Sequence, residues 1–420
     1  MGCTQSSPSG ISNGGAPPGK VPKKRNQSVY GAEALAFAAD SEDEAPKKSE
    51  MKPDSTIHAN MGIAKVRYAY LSKRGLYPDD PDKPNQDSLC ISADNFVGVK
   101  NHCFMSVFDG HGPDGHSCAW FARDHLHNLL DKFYRQAHAK AVKRNNNGSL
   151  TDSNPANWPP VMTPTYYKAA ILKSHLRCNE QMHKSNDVKD QLSGTTAVSV
   201  GFHYDYFIVS NLGDSRAILG VMGEDGKLKA ESLTQDQTPY RKDERDRVKK
   251  AGAMVMSLDQ LDGIEPVHEN WEDTNGEAID EDGDPPRLWA KNGEYPGCAF
   301  TRSLGDALAE DIGVFAEPET TTRKLTDKDK MLIIASDGVF EFLTSQTVVD
   351  MCSEFDDPLE ACKHVVQTSK DEWLKRETRT DDITMICVFI DELDADAAAG
   401  EIQEGAFGLS EEEIAQAAAD

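Results

Sequence analysis

Residues 104–112 read FMSVFDGHG, an apolar run that ends in an aspartate, a glycine and a histidine. Other apolar runs also meet aspartates: residues 331–338 read MLIIASDG, residues 207–214 read FIVSNLGD, and residues 381–388 read DDITMICV with the acids first. A buried strand rarely ends in a carboxylate unless something pairs with it, because an unpaired buried charge is costly. Several such ends, far apart in sequence, are what a fold needs to hold hard divalent cations with oxygen ligands. The pattern therefore predicts a metalloenzyme.

Segments rich in β-branched and aromatic residues, with turn residues between them, predict the strands around these aspartates. They lie at 66–71, 88–92, 103–108, 196–201, 206–211, 216–219, 331–335 and 384–390. One-sided apolar stripes and turn signals predict helices at 117–143, 165–184, 242–251 and 358–376. Strands in hairpins with helices between them indicate an α+β fold built in layers.

Composition excludes some classes of function. The chain has 420 residues, with 45 Lys and Arg against 70 Asp and Glu, which gives a net charge of −25. Nucleic acid is not expected as a partner, because a phosphate backbone needs a basic footprint. The nine cysteines show neither zinc-site pairing nor a dense secreted pattern, which favours reduced thiols and a cytoplasmic protein. No apolar run is long enough to span a bilayer.

The chain begins MGCTQS, which fits a lipidation signal. Removal of Met1 would expose Gly2, and Ser6 completes the N-myristoylation pattern, while Cys3 is a natural palmitoylation site. One acyl chain binds membranes only marginally, so the pairing of two signals matters. The alternative is a chance match within a disordered leader. We expect attachment to the cytosolic face of a membrane.

The motifs interleave along the chain, which favours a single catalytic domain at 61–391. Residues 1–60 are low in large apolar residues and are expected to form a disordered leader. Residues 392–420 form an acidic tail, for which a solvated tail is the default and a regulatory or partner-binding tail the alternative.

Six motifs occur in a fixed order along the chain. They are DGHG at 109–112, SGTTA at 193–197, GDSR at 213–216, FTRSLGD at 300–306, SDG at 336–338 and DDIT at 381–384. Over roughly residues 62–391 the series resembles the metal-dependent protein serine/threonine phosphatases of type 2C, and six motifs in order are far more specific than one. The resemblance implies a central sandwich of two antiparallel β-sheets with helices on both outer faces and a metal site at one end. The long acidic segment 259–297 resembles an enlarged form of the flap that borders the active site in this family.

The resemblance implies two Mg²⁺ or Mn²⁺ ions, for which carboxylates are suitable ligands. Asp109 is the expected bridge between them, and Gly110 would offer its backbone carbonyl. Asp337 and Asp381 should complete one ion, and Asp87 should hold waters of the other, because magnesium keeps much of its hydration.

Two further residues near these ligands have more than one interpretation. Asp214 could serve a weaker third ion, as the family implies, or be a turn aspartate satisfied by local backbone donors. His111 fits a general acid that protonates the departing serine or threonine oxygen, and its alternative is a structural histidine in a glycine turn. Thr196 and Arg302 are expected to be structural.

This chain departs from the family pattern at several positions. Many relatives carry Glu-Asp where this chain has Gln86-Asp87, and Asp-Asn where it has Asp381-Asp382. Many also place a phosphate-binding arginine near position 82, which here is an aspartate. Lys83 and Arg74 are the cations available for the phosphate, and lysine binds it as a point charge with less geometric definition.

The resemblance thus implies a Mg²⁺- or Mn²⁺-dependent protein serine/threonine phosphatase, in which a water or hydroxide between the ions attacks phosphoserine or phosphothreonine directly. Phosphorylated proteins would be its partners, and the chain would be a monomer. The alternatives are a catalytically weak relative that acts as a regulatory or binding module, and an enzyme for small phosphorylated metabolites.

Overall fold

A computed structural model of the protein describes residues 50–92, 96–98, 101–145, 164–268, 271, 284–291, 293 and 295–394. The expected lipidation sites Gly2 and Cys3, nearly all of the expected leader and the acidic tail from residue 395 lie outside the described residues. Among the helices of the described segments, none is both long and apolar enough to cross a bilayer.

The helices and strands are numbered here in chain order. The strands are β1 (Glu50–Met51), β2 (Ile57–Met61), β3 (Ala64–Lys73), β4 (Asp87–Ser92), β5 (Cys103–His111), β6 (Gly194–Thr195), β7 (Ala197–His203), β8 (Tyr206–Leu212), β9 (Arg216–Met222), β10 (Leu228–Ser232), β11 (Met254–Met256), β12 (Arg287–Trp289), β13 (Pro296–Cys298), β14 (Leu304–Gly305), β15 (Glu319–Lys324), β16 (Asp329–Ala335) and β17 (Ile383–Leu393). The helices are α1 (Gly115–Asn145), α2 (Pro164–His183), α3 (Lys242–Ala251), α4 (Leu258–Leu261), α5 (Ala307–Glu310), α6 (Asp337–Phe340), α7 (Ser345–Ser353) and α8 (Pro358–Arg376).

Two large antiparallel sheets form the centre of the molecule. The first sheet has the strand order β1-β3-β17-β16-β9-β10, with β2 also paired to β3. The second sheet has the order β14-β6-β5-β7-β8-β15, with β4 also paired to β5. A small third sheet, β11-β12-β13, takes two of its strands from the end of the acidic segment 259–297, and Leu288 of β12 packs with Val248 of α3.

Alternation along the strands explains how the sheets stack. In β16, Leu332 and Ile334 face the core between the two sheets, whereas Ile333 packs outward with Trp373 of α8. This two-residue period is what a strand buried on both faces requires. On the second sheet, Phe108 packs outward into a cluster with residues of α1 and α2. The result is a four-layer arrangement of helices, sheet, sheet and helices, which confirms the predicted α+β sandwich.

Each predicted strand and helix is present, and the helices Lys242–Ala251 and Pro358–Arg376 have the predicted bounds. Helix α3 ends where Gly252 adopts φ 115°, the left-handed conformation that closes helices. Several elements were not predicted, among them helix α7 and the strands β2, β10 and β15, whose sequences IHANM, LKAES and ETTTRK lack an apolar run. The first sheet also begins at Glu50 and ends at Leu393, so it extends beyond the expected domain boundaries at 61 and 391.

Candidate active site

The predicted metal ligands meet at one end of the sandwich, and both sheets contribute. Asp87 and Asp109 lie opposite each other in the pairing of β4 with β5, in the second sheet. Asp337 begins α6 two residues after β16 ends, and Asp381 lies two residues before β17 begins. Because β16 and β17 are antiparallel neighbours, the end of β16 and the start of β17 lie side by side, and those two aspartates lie at the same end of the first sheet.

Hydrogen bonds hold these carboxylates in place across the sheets. Ser336 Oγ, from the first sheet, donates to Asp87 Oδ2 at 2.8 Å. Tyr77 donates its hydroxyl to Asp381 Oδ1 at 2.9 Å. The carboxyls of Asp109 and Asp337 lie close enough together for each to affect the pKa of the other.

The carboxylates are crowded and withdrawn from water. Burial, followed by repulsion from Asp382, raises the pKa of Asp87 to about 8. Burial and then repulsion from Asp337 hold the pKa of Asp109 well above its usual range. Burial and then repulsion from Asp381 likewise hold the pKa of Asp337 well above its usual range. Carboxyls in such a cluster resist ionisation until positive charge is supplied, and divalent cations supply it.

Two oxygen atoms identify where that charge would sit. Asp87 Oδ1 and Asp381 Oδ2 are buried and have no hydrogen-bond partner among the described residues. An orphaned buried acceptor is costly unless a proton or an ion satisfies it. The donor set therefore fits hard cations such as Mg²⁺ or Mn²⁺. Across the described residues, however, no three His, Cys, Asp or Glu side chains form a finished metal-binding cluster as they stand.

Gly110 fits its position because no larger residue could. A Cβ atom there would lie 2.3 Å from the carbonyl oxygen of Gly115 and 2.6 Å from that of Gln86. The start of α1 and the entry to β4 therefore pack directly against the backbone that follows Asp109.

Asp382 has a role that the sequence analysis did not predict. Its Oδ1 accepts a hydrogen bond from the backbone N–H of Gly75 at 2.6 Å, and its Oδ2 accepts one from that of Gln86 at 2.8 Å. An asparagine in this position would offer only one acceptor oxygen. Gln86 Nε2 in turn donates to the carbonyl of Gly112 at 2.7 Å. The side chains of Gln86 and Asp382 thus both hold loops around the site.

His111 lies beside the carboxylate cluster. Its Nε2 is 2.6 Å from Oδ2 of Asp306, and its ring centroid is 4.2 Å from that of Phe300. Sequence analysis quoted Asp306 within the FTRSLGD motif but gave it no role. The only signal was its place in that motif, because the contact joins residues 195 positions apart.

Asp214 lies at the same end of the molecule. Burial raises its pKa, and the charge of His111 partly offsets that effect. Asp214 also contributes to the raised pKa of Asp337, as a nearby negative charge does. A hydrogen bond from its own backbone N–H favours the turn interpretation, so both interpretations keep support.

The two expected phosphate-binding cations differ in their surroundings. Arg74 donates to the backbone carbonyls of Pro81 and Lys83, so its guanidinium holds the loop that leads into β4. Lys83 places Nζ 3.9 Å from the ring centroid of Tyr77 and is close enough to lower the pKa of Asp382. Lys83 therefore lies at the rim of the cluster. Phosphate binding by either residue stays a prediction.

Thr196 and Arg302 support the site from behind, as expected. Thr196 Oγ1 accepts a hydrogen bond from the backbone N–H of Asp109 at 3.1 Å. Arg302 pairs with Glu244 of α3, a carboxylate that is 2% exposed and that also accepts from Thr301. These contacts join α3 to the segment that carries Asp306.

Comparison with known proteins gives a consistent result. The sequence model of the family described as Protein phosphatase 2C matches residues 83–373. Probable protein phosphatase 2C 35 of Arabidopsis thaliana is 42% identical over 348 residues, covering 83% of this chain and 90% of that protein. Probable protein phosphatase 2C 75 of Oryza sativa subsp. japonica is 29% identical over 322 residues, covering 73% of this chain and 69% of that protein.

A solved structure shares the fold. The crystal structure of serine-threonine phosphatase 2C from Toxoplasma gondii superposes with a TM-score of 0.57 at 20% identity, covering 80% of this chain and 99% of that one. The family match spans most of the chain, the Arabidopsis relative is similar over nearly its whole length, and the folds agree. The chain therefore belongs to the protein phosphatase 2C family.

Proposed function

We propose that this protein serine/threonine phosphatase depends on Mg²⁺ or Mn²⁺ held by the carboxylate cluster at the end of the sandwich. The observation that carries the proposal is the buried set of Asp87, Asp109, Asp337 and Asp381, contributed by both sheets. Two of these carboxylates have orphaned oxygens, and three have raised pKa values. Such a site is expected to bind cations strongly and to lose protons as it does so.

The proposed role of each ligand follows from the position of its residue in the cluster. Asp109 would bridge two ions, and the carbonyl of Gly110 would assist it. Asp337 and Asp381 would complete one ion, Asp87 would hold waters of the other, and Asp214 is the candidate for a weaker third. When bound, the ions would lower the pKa of a water molecule and neutralise charge on the phosphoryl oxygens.

The residues of the chain supply the remaining chemistry. His111 is the proposed general acid, which gives a proton to the departing serine or threonine oxygen. Lys83, at the rim, offers a point charge to the phosphate, with Arg74 shaping the loop that presents it. Tyr77 and Ser336 hold ligand carboxylates in fixed directions, so the site needs little rearrangement before substrate binds.

The test is phosphate release from a phosphothreonine peptide by the full chain, with and without Mn²⁺. We expect metal-dependent turnover in the wild type and its loss in Asp109→Ala, while Asp187→Asn on an exposed loop keeps wild-type rates. Metal-independent turnover, or an active Asp109→Ala variant, would refute the proposed centre.

An alternative is a catalytically weak protein that regulates or binds phosphoproteins. The observation that favours it is the phosphate side of the site, where Asp82 replaces the usual arginine and Arg74 is engaged by loop carbonyls. In that case the peptide would bind without measurable turnover, and Asp82→Arg would raise the rate.

We also propose that the protein is a monomer held at the cytosolic face of a membrane through lipid chains on Gly2 and Cys3. The support is the MGCTQS pattern at the start of the chain. Gly2→Ala should move the protein from the membrane fraction to the soluble fraction, and Cys3→Ser should weaken attachment because one chain binds only marginally. Membrane association that survives Gly2→Ala would contradict the proposal.

A further inference from the structure

Asp306 is a buried carboxylate that the proposed chemistry has not yet used. It is 1% exposed, and its backbone has φ 54° and ψ 43°, in the left-handed region. A non-glycine residue costs free energy in that conformation and stays there only when its surroundings hold it. Here the backbone N–H of Asp306 donates to Ser193 at 2.8 Å, and its carbonyl accepts from Ala309 at 2.7 Å.

The strands around Asp306 leave room for its side chain. His111 lies opposite Gly194 in the pairing of β5 with β6, and Gly194 lies opposite Gly305 in the pairing of β6 with β14. A Cβ atom on Gly194 would lie 2.2 Å from Oδ2 of Asp306. The glycine in the middle of this row therefore opens the space through which Asp306 reaches His111.

The carboxylate fixes one nitrogen of the imidazole. Oδ2 of Asp306 lies 2.6 Å from His111 Nε2 and also accepts from Ser303 Oγ at 2.6 Å. The ring of Phe300 packs at 4.2 Å and restricts rotation of the imidazole. Because Nε2 donates to Asp306, Nδ1 is the nitrogen that remains for a substrate, and it has no hydrogen-bond partner among the described residues.

We propose that Asp306 is a positioning residue, which holds His111 in the orientation and tautomer that present Nδ1 to the leaving oxygen. The proposal rests on the phosphatase activity and on the general-acid role of His111. The acid form of His111 is the imidazolium, which carries a proton on each ring nitrogen. The bond between phosphorus and the serine or threonine oxygen breaks, and that oxygen leaves with the electron pair and takes the proton from Nδ1, so that the ring becomes neutral with its remaining proton on Nε2. The attacking water forms the new bond to phosphorus and loses its proton to solvent. Solvent then returns a proton to His111, and Asp306 exchanges none.

The test uses two substrates that differ in how much they need the general acid. A phosphothreonine peptide releases a poor leaving group, whereas p-nitrophenyl phosphate releases an anion that needs no proton. Asp306→Asn keeps the size of the side chain and tolerates the left-handed backbone, but it removes the negative charge beside Nε2 and leaves one acceptor oxygen in place of two. We expect kcat for the peptide to fall about 10²-fold, with little change for p-nitrophenyl phosphate.

Two further variants separate positioning from a merely structural role. His111→Ala should show the same split between substrates, and adding Asp306→Asn to it should cause no further loss, because the two residues act as a unit. Asn179→Ala removes the side-chain acceptor of the Gly305 N–H at 2.8 Å without touching His111, so it should affect both substrates alike.

The outcomes are distinct. If Asp306→Asn slows both substrates equally, or slows the double variant further, Asp306 is only structural and the inference fails alone. If the wild type releases no phosphate from either substrate with Mn²⁺ present, the proposed function fails and the inference with it.

A spectroscopic measurement decides the question even if Asp306→Asn does not fold. Nitrogen-15 NMR of the Mg²⁺-loaded wild type, with His111 assigned by His111→Gln, reports which imidazole nitrogen carries the proton in the neutral ring. We expect a protonated Nε2 and a bare Nδ1. The opposite tautomer would overturn the inference.

Discussion

At the scale of single residues, the site depends on groups that fix the directions of its carboxylates. Tyr77 is a clear case, because its buried hydroxyl satisfies one oxygen of Asp381 and leaves the other orphaned. Asp382 accepts hydrogen bonds from two backbone N–H groups and so joins the segment after β3 to the residue before β4. Such partners orient ligands without being ligands themselves.

Tyr77→Phe should therefore weaken metal activation while leaving the fold intact. Without the hydroxyl, Asp381 can rotate, so we expect the Mn²⁺ concentration for half-maximal activity to rise about 10–100-fold, with kcat at saturating Mn²⁺ little changed. Titration of activity with Mn²⁺ measures this. Tyr70→Phe, on the neighbouring part of β3, is the matched control, and an equal shift there would argue against the role of Tyr77.

Gly110→Ala tests the close packing beside Asp109. The added methyl would meet backbone oxygens of Gly115 and Gln86, which cannot move as a flexible side chain can. We expect a loss of about 1–3 kcal/mol in the free energy of unfolding, as overpacked cores show. Urea unfolding measures it. The control Gly226→Ala meets nothing within 4 Å, so its cost reflects only its positive φ of 75°.

At the scale of elements, α3 is joined to the strand segment before Asp306 by a buried ionic network. Glu244 accepts from Arg302, Arg247 and Thr301. Although burial alone would raise its pKa, hydrogen bonds from Arg302 and Arg247 lower it to about 2. Helix α3 is therefore fixed to the strand segment before Asp306, behind the active site.

Glu244→Gln should destabilise the protein by about 1.5–3 kcal/mol, because it leaves the partly buried Arg302 and Arg247 without their full charge partner. Since the pKa is lowered on folding, the contribution is present above the usual value of 4.5 and is lost as the pH falls towards about 2. Urea unfolding should show a large difference in the free energy of unfolding between the wild type and Glu244→Gln near neutral pH, and this difference should decrease below pH 4.5. Glu354→Gln, at an exposed carboxylate, is the control. A gap that does not change with pH would contradict the ionic explanation.

Strands and helices could be predicted from the sequence where a local pattern of apolar residues determines them. The apolar strands β5 and β16 and the aspartates at their ends were found because a buried strand followed by a carboxylate is a local signal. Strand β15 was missed because it is an edge strand in which every residue is polar or charged, so it shows no apolar alternation. Asp306 and Asp382 were missed because their partners lie 195 or more positions away, and no local pattern records which oxygen meets which N–H.

At the scale of the whole molecule, the end of the sandwich opposite the carboxylates also holds buried titratable groups. His102 and His203 pack with their Nδ1 atoms 3.3 Å apart, and both are buried. Burial, assisted by His203, lowers the pKa of His102 to about 2. Such a residue is neutral in the native state throughout the ordinary pH range.

This pair should make the protein sensitive to acid. Below pH 6.5, the ordinary pKa of histidine, the unfolded chain binds a proton at His102, whereas the native state does not bind it until about pH 2. The free energy of unfolding therefore falls as the pH drops. We expect His102→Gln to reduce the slope of unfolding free energy against pH by about 1.4 kcal/mol per unit between pH 6 and 4. Urea unfolding across that range measures it. His125→Gln, at an exposed histidine, should leave the slope unchanged, and an unchanged slope in His102→Gln would refute the assignment.

The proposed ligands come from both sheets, and this has a consequence for the lifetime of the protein in the cell. An ion held between the sheets joins the two halves of the sandwich much as a cross-link does. A ligand that binds only the native state stabilises it by about 2.7 kcal/mol at a hundred times its dissociation constant. Proteases act on the opened chain, so supply of the ion would set how long each molecule survives as well as how fast it works. Shortage of the ion would thus deplete the enzyme without any change in its synthesis.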